Sequence, residues 1–189
     1  MRPLTISLLF VILSCSGTEE CPESPLESLE ADQEQCFALF DDCRDGDLVL
    51  VTSVYDGDTI TLDGGSKVRL LGINSPEQNK DPSTAEGCMA KEAGDYLRSL
   101  IDGRQVCLRY PAGGATTDRY GRTLAWVYID GYNVNSLMIS TGHACVFDRF
   151  PDPECLDAFL YAEEHASSWE LGIWGYCADV HQDPCSFSD

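Results

Sequence analysis

Three short apolar runs, each closed by turn residues, constrain this chain more than any other feature. "LVLVTSVYDG" (48–57), "DTITLDGG" (58–65) and "KVRLLGI" (67–73) follow one another almost without spacing. Each has the length and β-branched content of a strand, and none is long enough for a stable helix. Gly64, Gly65 and Ser66 turn the second run into the third, so the segment reads as an antiparallel meander starting near Leu48.

The pattern then changes period. A polar loop at 74–85 precedes a helix predicted over about 85–102, with apolar positions Met89, Ala93, Leu97 and Leu100 or Ile101 on one face. "RQVCLRY" (104–110) and "RTLAWVYI" (122–129) are a fourth and fifth strand around a Gly- and Thr-rich loop. Residues 132–141 read as a short helix, 143–147 as a brief strand, and 156–170 as a last helix, followed by Ile173 and Trp174 as an apolar plug. The expected class is mainly β with α: an open five-stranded Greek-key barrel packed by about three helices.

The domain so defined runs from 48 to 175. Residues 1–16 hold one basic residue, the apolar run "ISLLFVIL" and then Ser14, Cys15 and Ser16, which is the pattern of an export signal and too short for a membrane span. "ILSC" also resembles a bacterial lipoprotein signal, leaving two readings: attachment to a membrane through a lipid on Cys15, or ordinary secretion. Residues 17–47 form an acidic tether, with a short helix expected to dock through Phe37, Leu39 and Phe40, and 176–189 form a Cys-containing tail. Ten cysteines behind an export signal imply an oxidising compartment and disulfides. Cys36 and Cys43, about 10 Å apart along a helix, need partners elsewhere, whereas Cys145/Cys155 and Cys177/Cys185 are expected as local pairs. Zinc is disfavoured because no two cysteines have C-x-x-C spacing and His143, His165 and His181 are scattered.

A net charge of −20 argues against a polyanionic partner until its distribution is considered. Nine of the twelve Lys and Arg lie within 66–122, against seven of the 32 acids. A local basic cleft acts within a Debye length of about 10 Å, whatever the remote surface carries.

Three polar clusters interrupt the apolar elements. Asp56-Gly57-Asp58-Thr59 sits between strands one and two, and as structure it is an ordinary Asp-Gly hairpin turn with an unneeded second carboxylate. "RLLGINSPE" (69–77) places Arg69 in an apolar strand and Glu77 after a stiffening proline. "DRYGRT" (118–123) places Arg119 and Arg122 beside Tyr120 at the mouth of strand five. Taken singly, each is more often surface than site. Together they hold the parts of phosphodiester hydrolysis: oxygen ligands for a hard cation, guanidinium groups for phosphate oxygens, and a carboxylate for water.

At this point "YDGDTITL", "VRLLGINSPE", "TDRYGRTLAWVY", "VNSLMISTGHACV" and "LGIW" resemble, in order, the motifs of the staphylococcal-nuclease-like (thermonuclease) family. The resemblance implies a five-stranded OB-type barrel with three helices, and calcium-dependent endonucleolytic and exonucleolytic cleavage of DNA and RNA that leaves 3′-phosphates. It assigns Arg69 and Arg122 to the phosphate, and Glu77 to positioning or activating the attacking water. Asp58 becomes a calcium ligand, Asp56 a supporting carboxylate, and Ser75 a ligand through its backbone carbonyl. Tyr120 is assigned to the substrate, and Arg119 stands where the family has a lysine. Asn74 replaces a second calcium-binding aspartate, which removes a negative charge beside the ion. Asp148 and Phe150 stand near two substrate-flanking tyrosines, and of these Phe150 retains a ring for stacking. The expected protein is an exported, monomeric nuclease. The alternatives are a non-catalytic nucleic-acid-binding OB-fold module, which would have no need of Glu77 and both arginines, and a structural lipoprotein of the cell envelope.

Overall fold

A computed structural model describes residues 43, 46–78, 86–111, 116–147, 155–177 and 185. Nine strands and four helices follow one another as β1 (Asp47–Val54), β2 (Thr59–Leu62), β3 (Lys67–Leu70), β4 (Ile73–Asn74), α1 (Ala90–Ile101), β5 (Gln105–Arg109), β6 (Thr116–Thr117), β7 (Thr123–Ile129), β8 (Tyr132–Asn133), α2 (Val134–Ser140), β9 (Cys145–Val146), α3 (Leu156–Ser168) and α4 (Ile173–Tyr176) among these residues. Strands β1, β2, β3, β5 and β7 form the barrel, in the order β3-β2-β1-β5-β7. It is closed rather than open, because β3 returns to β7 in parallel, with Arg69 opposite Leu124 and Leu70 opposite Ala125. Alternation along each strand sends Val51, Ile60, Val68, Leu70, Leu108 and Val127 into the core.

The third predicted strand divides at Gly72, whose φ of +74° suits glycine. The chain bends there and continues as β4, which pairs with β9. Helix α1 buries Ala90, Ala93, Gly94, Leu97 and Ile101 and turns Lys91, Asp95 and Arg98 outward, where Asp95 pairs with both cations. It starts at Ala90, later than the predicted 85. Met89 has a left-handed backbone (φ +60°), so Met89 is not the helical position expected of it. Buried Asn135 on α2 fixes that helix to the barrel, accepting the Val127 N–H at 3.0 Å and donating to the Leu71 carbonyl at 2.8 Å.

Both expected local disulfides are wrong. Cys145 bonds to Cys185 and Cys177 to Cys88, with Cα separations of 5.6 and 6.0 Å. Nearness in sequence gave the wrong partners because Cys145 lies on β9 and Cys155 at the start of α3, while the end of α4 brings Cys177 to the segment before α1. Cys155 is also disulfide-bonded. Cys43 pairs with Cys107 on β5, which gives it the distant partner it needed. The tether helix through Phe37, Leu39 and Phe40, as well as Cys15, Asp148 and Phe150, lie outside the described residues.

Candidate active site

The outer faces of β2, β3 and β7 and the loops beside them enclose an open cleft of about 780 Å³. Behind the lining residues Thr59 and Arg69 lies Asp58, which is 2% exposed and bonded to both. One carboxylate oxygen of Asp58 accepts the Ser75 N–H at 2.9 Å and the Ser75 hydroxyl at 3.1 Å, and lies 3.1 Å from Nη2 of Arg69. The other accepts the Thr59 hydroxyl at 3.0 Å. Asp56 turns back over the same loop and accepts the Asp58 N–H at 3.1 Å.

Gly57 lies in the hairpin loop between β1 and β2, as expected, but not as a left-handed turn glycine. What requires a glycine is packing. A Cβ there would lie 2.7 Å from Ser75 Cβ and 2.9 Å from Ala93 Cβ, so the Asp56–Asp58 loop presses against both β4 and α1.

Arg69 leaves β3 on the outside of the barrel and is half-wrapped by the Leu71–Asn74 bend. Nη1 donates to the carbonyls of Leu70 and Ile73 at 3.0 and 2.7 Å, and Nη2 donates to Asn74 Oδ1 at 2.7 Å. One guanidinium thus joins Asp58, Asn74 and the turn between them. Ser75 holds Asp58 through its N–H and hydroxyl, a role the sequence reading, which considered only its carbonyl, did not see.

Arg122 enters from β7. Its Nε donates to Asp118 Oδ2 at 2.6 Å and its Nη1 to the Thr59 hydroxyl at 3.1 Å. The other oxygen of Asp118 accepts the N–H groups of Tyr120 and Arg122 at 2.8 and 2.9 Å, so a single carboxylate shapes the whole "DRYGRT" turn. Asp118 was missed as a site residue, although an Asx turn four residues before a functional arginine was visible in the spacing. Arg119 and Tyr120 are exposed at the rim, each guanidinium of the turn lying over the Tyr120 ring at 4.8 Å (Arg119) and 5.3 Å (Arg122).

Glu77 lines the cleft beside these groups. Its carbonyl accepts the Gly87 N–H at 3.1 Å, and the neighbouring Gln78 amide donates to the Ala90 carbonyl at 3.0 Å, so the start of α1 fixes the segment. Phe147 also lines the cleft, with the Arg69 guanidinium 6.0 Å from its ring centre.

The charges at the deep end are not balanced. Burial, then the carboxylate of Asp58, then that of Glu77 push the Asp56 carboxyl up to about 7. Buried Asp56, Asp58 and Asn74 offer only oxygen donors, and the crowding of carboxylates is the kind that a hard divalent cation relieves. Oxygen donors of this kind suit a hard divalent cation.

The staphylococcal nuclease homologue family model matches residues 67–176. The chain belongs to this family. Among its relatives, an uncharacterized protein of Bacillus anthracis is 36% identical over 128 residues, 66% of this chain and 59% of that one. The SPbeta prophage-derived endonuclease YokF of Bacillus subtilis is 32% identical over 157 residues, 81% of this chain and 50% of YokF. Endonuclease YncB of the same organism is 28% identical over 197 residues that cover 92% of each chain. The chain thus spans 59% and 50% of the length of the first two relatives.

In this family member, Asp118 gives a test of how the Arg122 side is held. Partial burial pushes its carboxyl up, but the hydrogen bonds from Arg122 and Tyr120 outweigh burial and hold it below its ordinary 3.8. A depressed carboxylate contributes stability above its unfolded value, and that contribution is lost as pH falls through the folded value. The Asp118→Asn variant is therefore expected to show a lower urea midpoint than wild type at neutral pH. The difference should shrink as pH falls below 3.8. A gap that stays constant into acid would contradict the assignment.

Proposed function

We propose that the protein is an exported nuclease that hydrolyses phosphodiester bonds of DNA or RNA with calcium as its cation. The observation that carries this reading is the convergence of Arg69, Arg122 and Glu77 on one open cleft, over a buried oxygen-donor set of Asp56, Asp58 and Asn74. Family membership and the names of two relatives as endonucleases point the same way. Export is supported by the signal-like leader and by seven disulfide-bonded cysteines among the described residues.

The reaction is an in-line displacement. Arg122, held by Asp118 and Thr59, and Arg69, held by its carbonyl contacts, bind the non-bridging phosphate oxygens and oppose the charge that grows on them in the transition state. Glu77 accepts a hydrogen bond from the attacking water and orients it or takes its proton. The water oxygen bonds to phosphorus as the P–O5′ bond breaks, and the departing 5′-oxygen takes a proton from solvent, leaving a 3′-phosphate and a 5′-hydroxyl. Calcium, when held by Asp58 and Asn74 with Asp56 and the Ser75 carbonyl in support, would supply Lewis-acid polarisation of the phosphate.

Asn74 has one negative charge fewer than an aspartate would bring, and its oxygen is engaged by Arg69. Asn74→Asp is expected to lower the calcium concentration for half-maximal cleavage by about tenfold, a gain of order 1.4 kcal/mol in cation binding. Titrating calcium against cleavage of single-stranded DNA measures this. An unchanged midpoint would remove Asn74 from the cation site, and an absence of cleavage by wild type at any calcium concentration would remove the nuclease reading.

A further inference from the structure

The cleft extends beyond the two arginines. Across the barrel wall the strands run β1, β2, β3, β7, β6 in hydrogen-bonding order. Tyr55, just after β1, and Tyr120, in the turn between β6 and β7, therefore flank Arg69 and Arg122 from opposite sides. Neighbouring strands lie about 4.8 Å apart, so the backbones of the two flanks are roughly 19 Å apart along the wall, with the side chains closer because Lys67, on β3, reaches the Tyr55 ring. Each flank carries a cation set over a tyrosine. Lys67 Nζ is 4.7 Å from the Tyr55 ring centre, and the Arg119 guanidinium is 4.8 Å from that of Tyr120. All four side chains line the one cleft.

Most other cations of the described residues away from the cleft are neutralised, Arg109 on β5 being the exception. Lys91 and Arg98 are paired with Asp95, and Arg104 with Asp130. Neither Lys67 nor Arg119 is paired with a carboxylate among the described residues. In a chain of net charge −20, cations left unneutralised on both rims of one cleft mark the path of a polyanion. Tyr55 is 40% exposed, which leaves ring surface for a ligand.

We propose that Tyr55 and Lys67 form a second nucleotide subsite, in which Tyr55 stacks a base and Lys67 binds a phosphate of a single-stranded polynucleotide, on the side of the scissile bond away from Tyr120. The identity of the ligand rests on the nuclease reading. A tyrosine on an open wall stacks only on a base that is free of its own duplex stack, which makes single strands the substrate form. Engagement on both sides of the scissile phosphate favours cuts within a chain over cuts at its end.

The test is the binding of fluorescein-labelled octathymidylate, followed by fluorescence anisotropy with a chelator present so that binding is read without cleavage. Tyr55→Ala should weaken binding about tenfold, within the range expected for one base on one aromatic ring, and Tyr55→Phe should keep wild-type affinity. Lys67→Ala should reduce the slope of log affinity against log salt by about 0.7, the loss of one phosphate contact on a single strand. Wild-type affinity in Tyr55→Ala, an equal loss in Tyr55→Phe, or an unchanged slope in Lys67→Ala would overturn the subsite. A separate assay of wild-type cleavage in calcium tests the nuclease reading, so the two can fail independently.

Discussion

Arg69→Ala is expected to lose about 3 kcal/mol of folding stability and about a thousandfold in kcat/KM. The two losses have separate origins. The Arg69 and Asp58 side chains are 10% and 3% exposed, so removing the guanidinium leaves a carboxylate in a dry site with only Ser75 and Thr59 as donors. It also strips the Leu70 and Ile73 carbonyls of their donor and releases Asn74. Loss of one partner from a buried pair is costly because the other charge stays behind. In the proposed reaction the rate falls because one of the two guanidinium groups assigned to the phosphate is gone. Arg69→Lys restores the charge without the planar fork, so it should recover part of the stability and little of the rate. Urea unfolding and steady-state kinetics separate the two effects, and an unchanged urea midpoint in Arg69→Ala would contradict the structural half of the argument.

The Cys88–Cys177 disulfide should have the second large effect. It spans 89 residues, and closing a loop of that length is worth about 4 kcal/mol. Its position also matters for chemistry. Cys88 follows Gly87, whose N–H holds the Glu77 carbonyl, and Cys177 ends α4, whose Ile173 N–H is bound to the Gly142 carbonyl at 2.9 Å. One bond therefore ties the Glu77 segment to the C-terminal side of the domain. The Cys88→Ser/Cys177→Ser variant should melt well below wild type, and at a temperature where it is still folded its kcat should fall more than its KM rises. An unchanged melting temperature, or a loss confined to KM, would contradict this.

Much of the site was legible because its parts are local. Arg69 stood out as an arginine in an apolar strand, Asp58 as a second carboxylate that a turn did not need, and Arg122 through the short "DRYGRT" pattern. What could not be read depends on closure. The parallel β3–β7 pairing that sets Arg69 beside Leu124 joins strands with α1 and β5 between them, and no local period reports it. The same holds for Gly57, which looks like a turn residue until Ser75 and Ala93 are placed against it. Tyr55 and Lys67 gave no signal as a pair, since one follows β1 and the other opens β3, and they meet only across β2. The disulfides followed the ends of folded elements rather than the short loops that sequence proximity favoured.

In the proposed reaction this cleft cuts phosphodiester bonds with a cation at its floor and guanidinium groups on its wall. The most direct measurement is incubation of the purified protein with single-stranded DNA, with calcium and with chelator, beside an Arg122→Ala variant. Removing the Arg122 side chain takes its hydrogen bonds from Asp118 and Thr59, so the unfolding midpoint should fall by an amount comparable to that in Asp118→Asn, and cleavage is compared where both proteins are folded. The account predicts cleavage by wild type in calcium, none in chelator, and a rate lower by about a thousandfold in the folded Arg122→Ala variant. Wild type that does not cleave in calcium, or Arg122→Ala that cleaves at the wild-type rate, would contradict it.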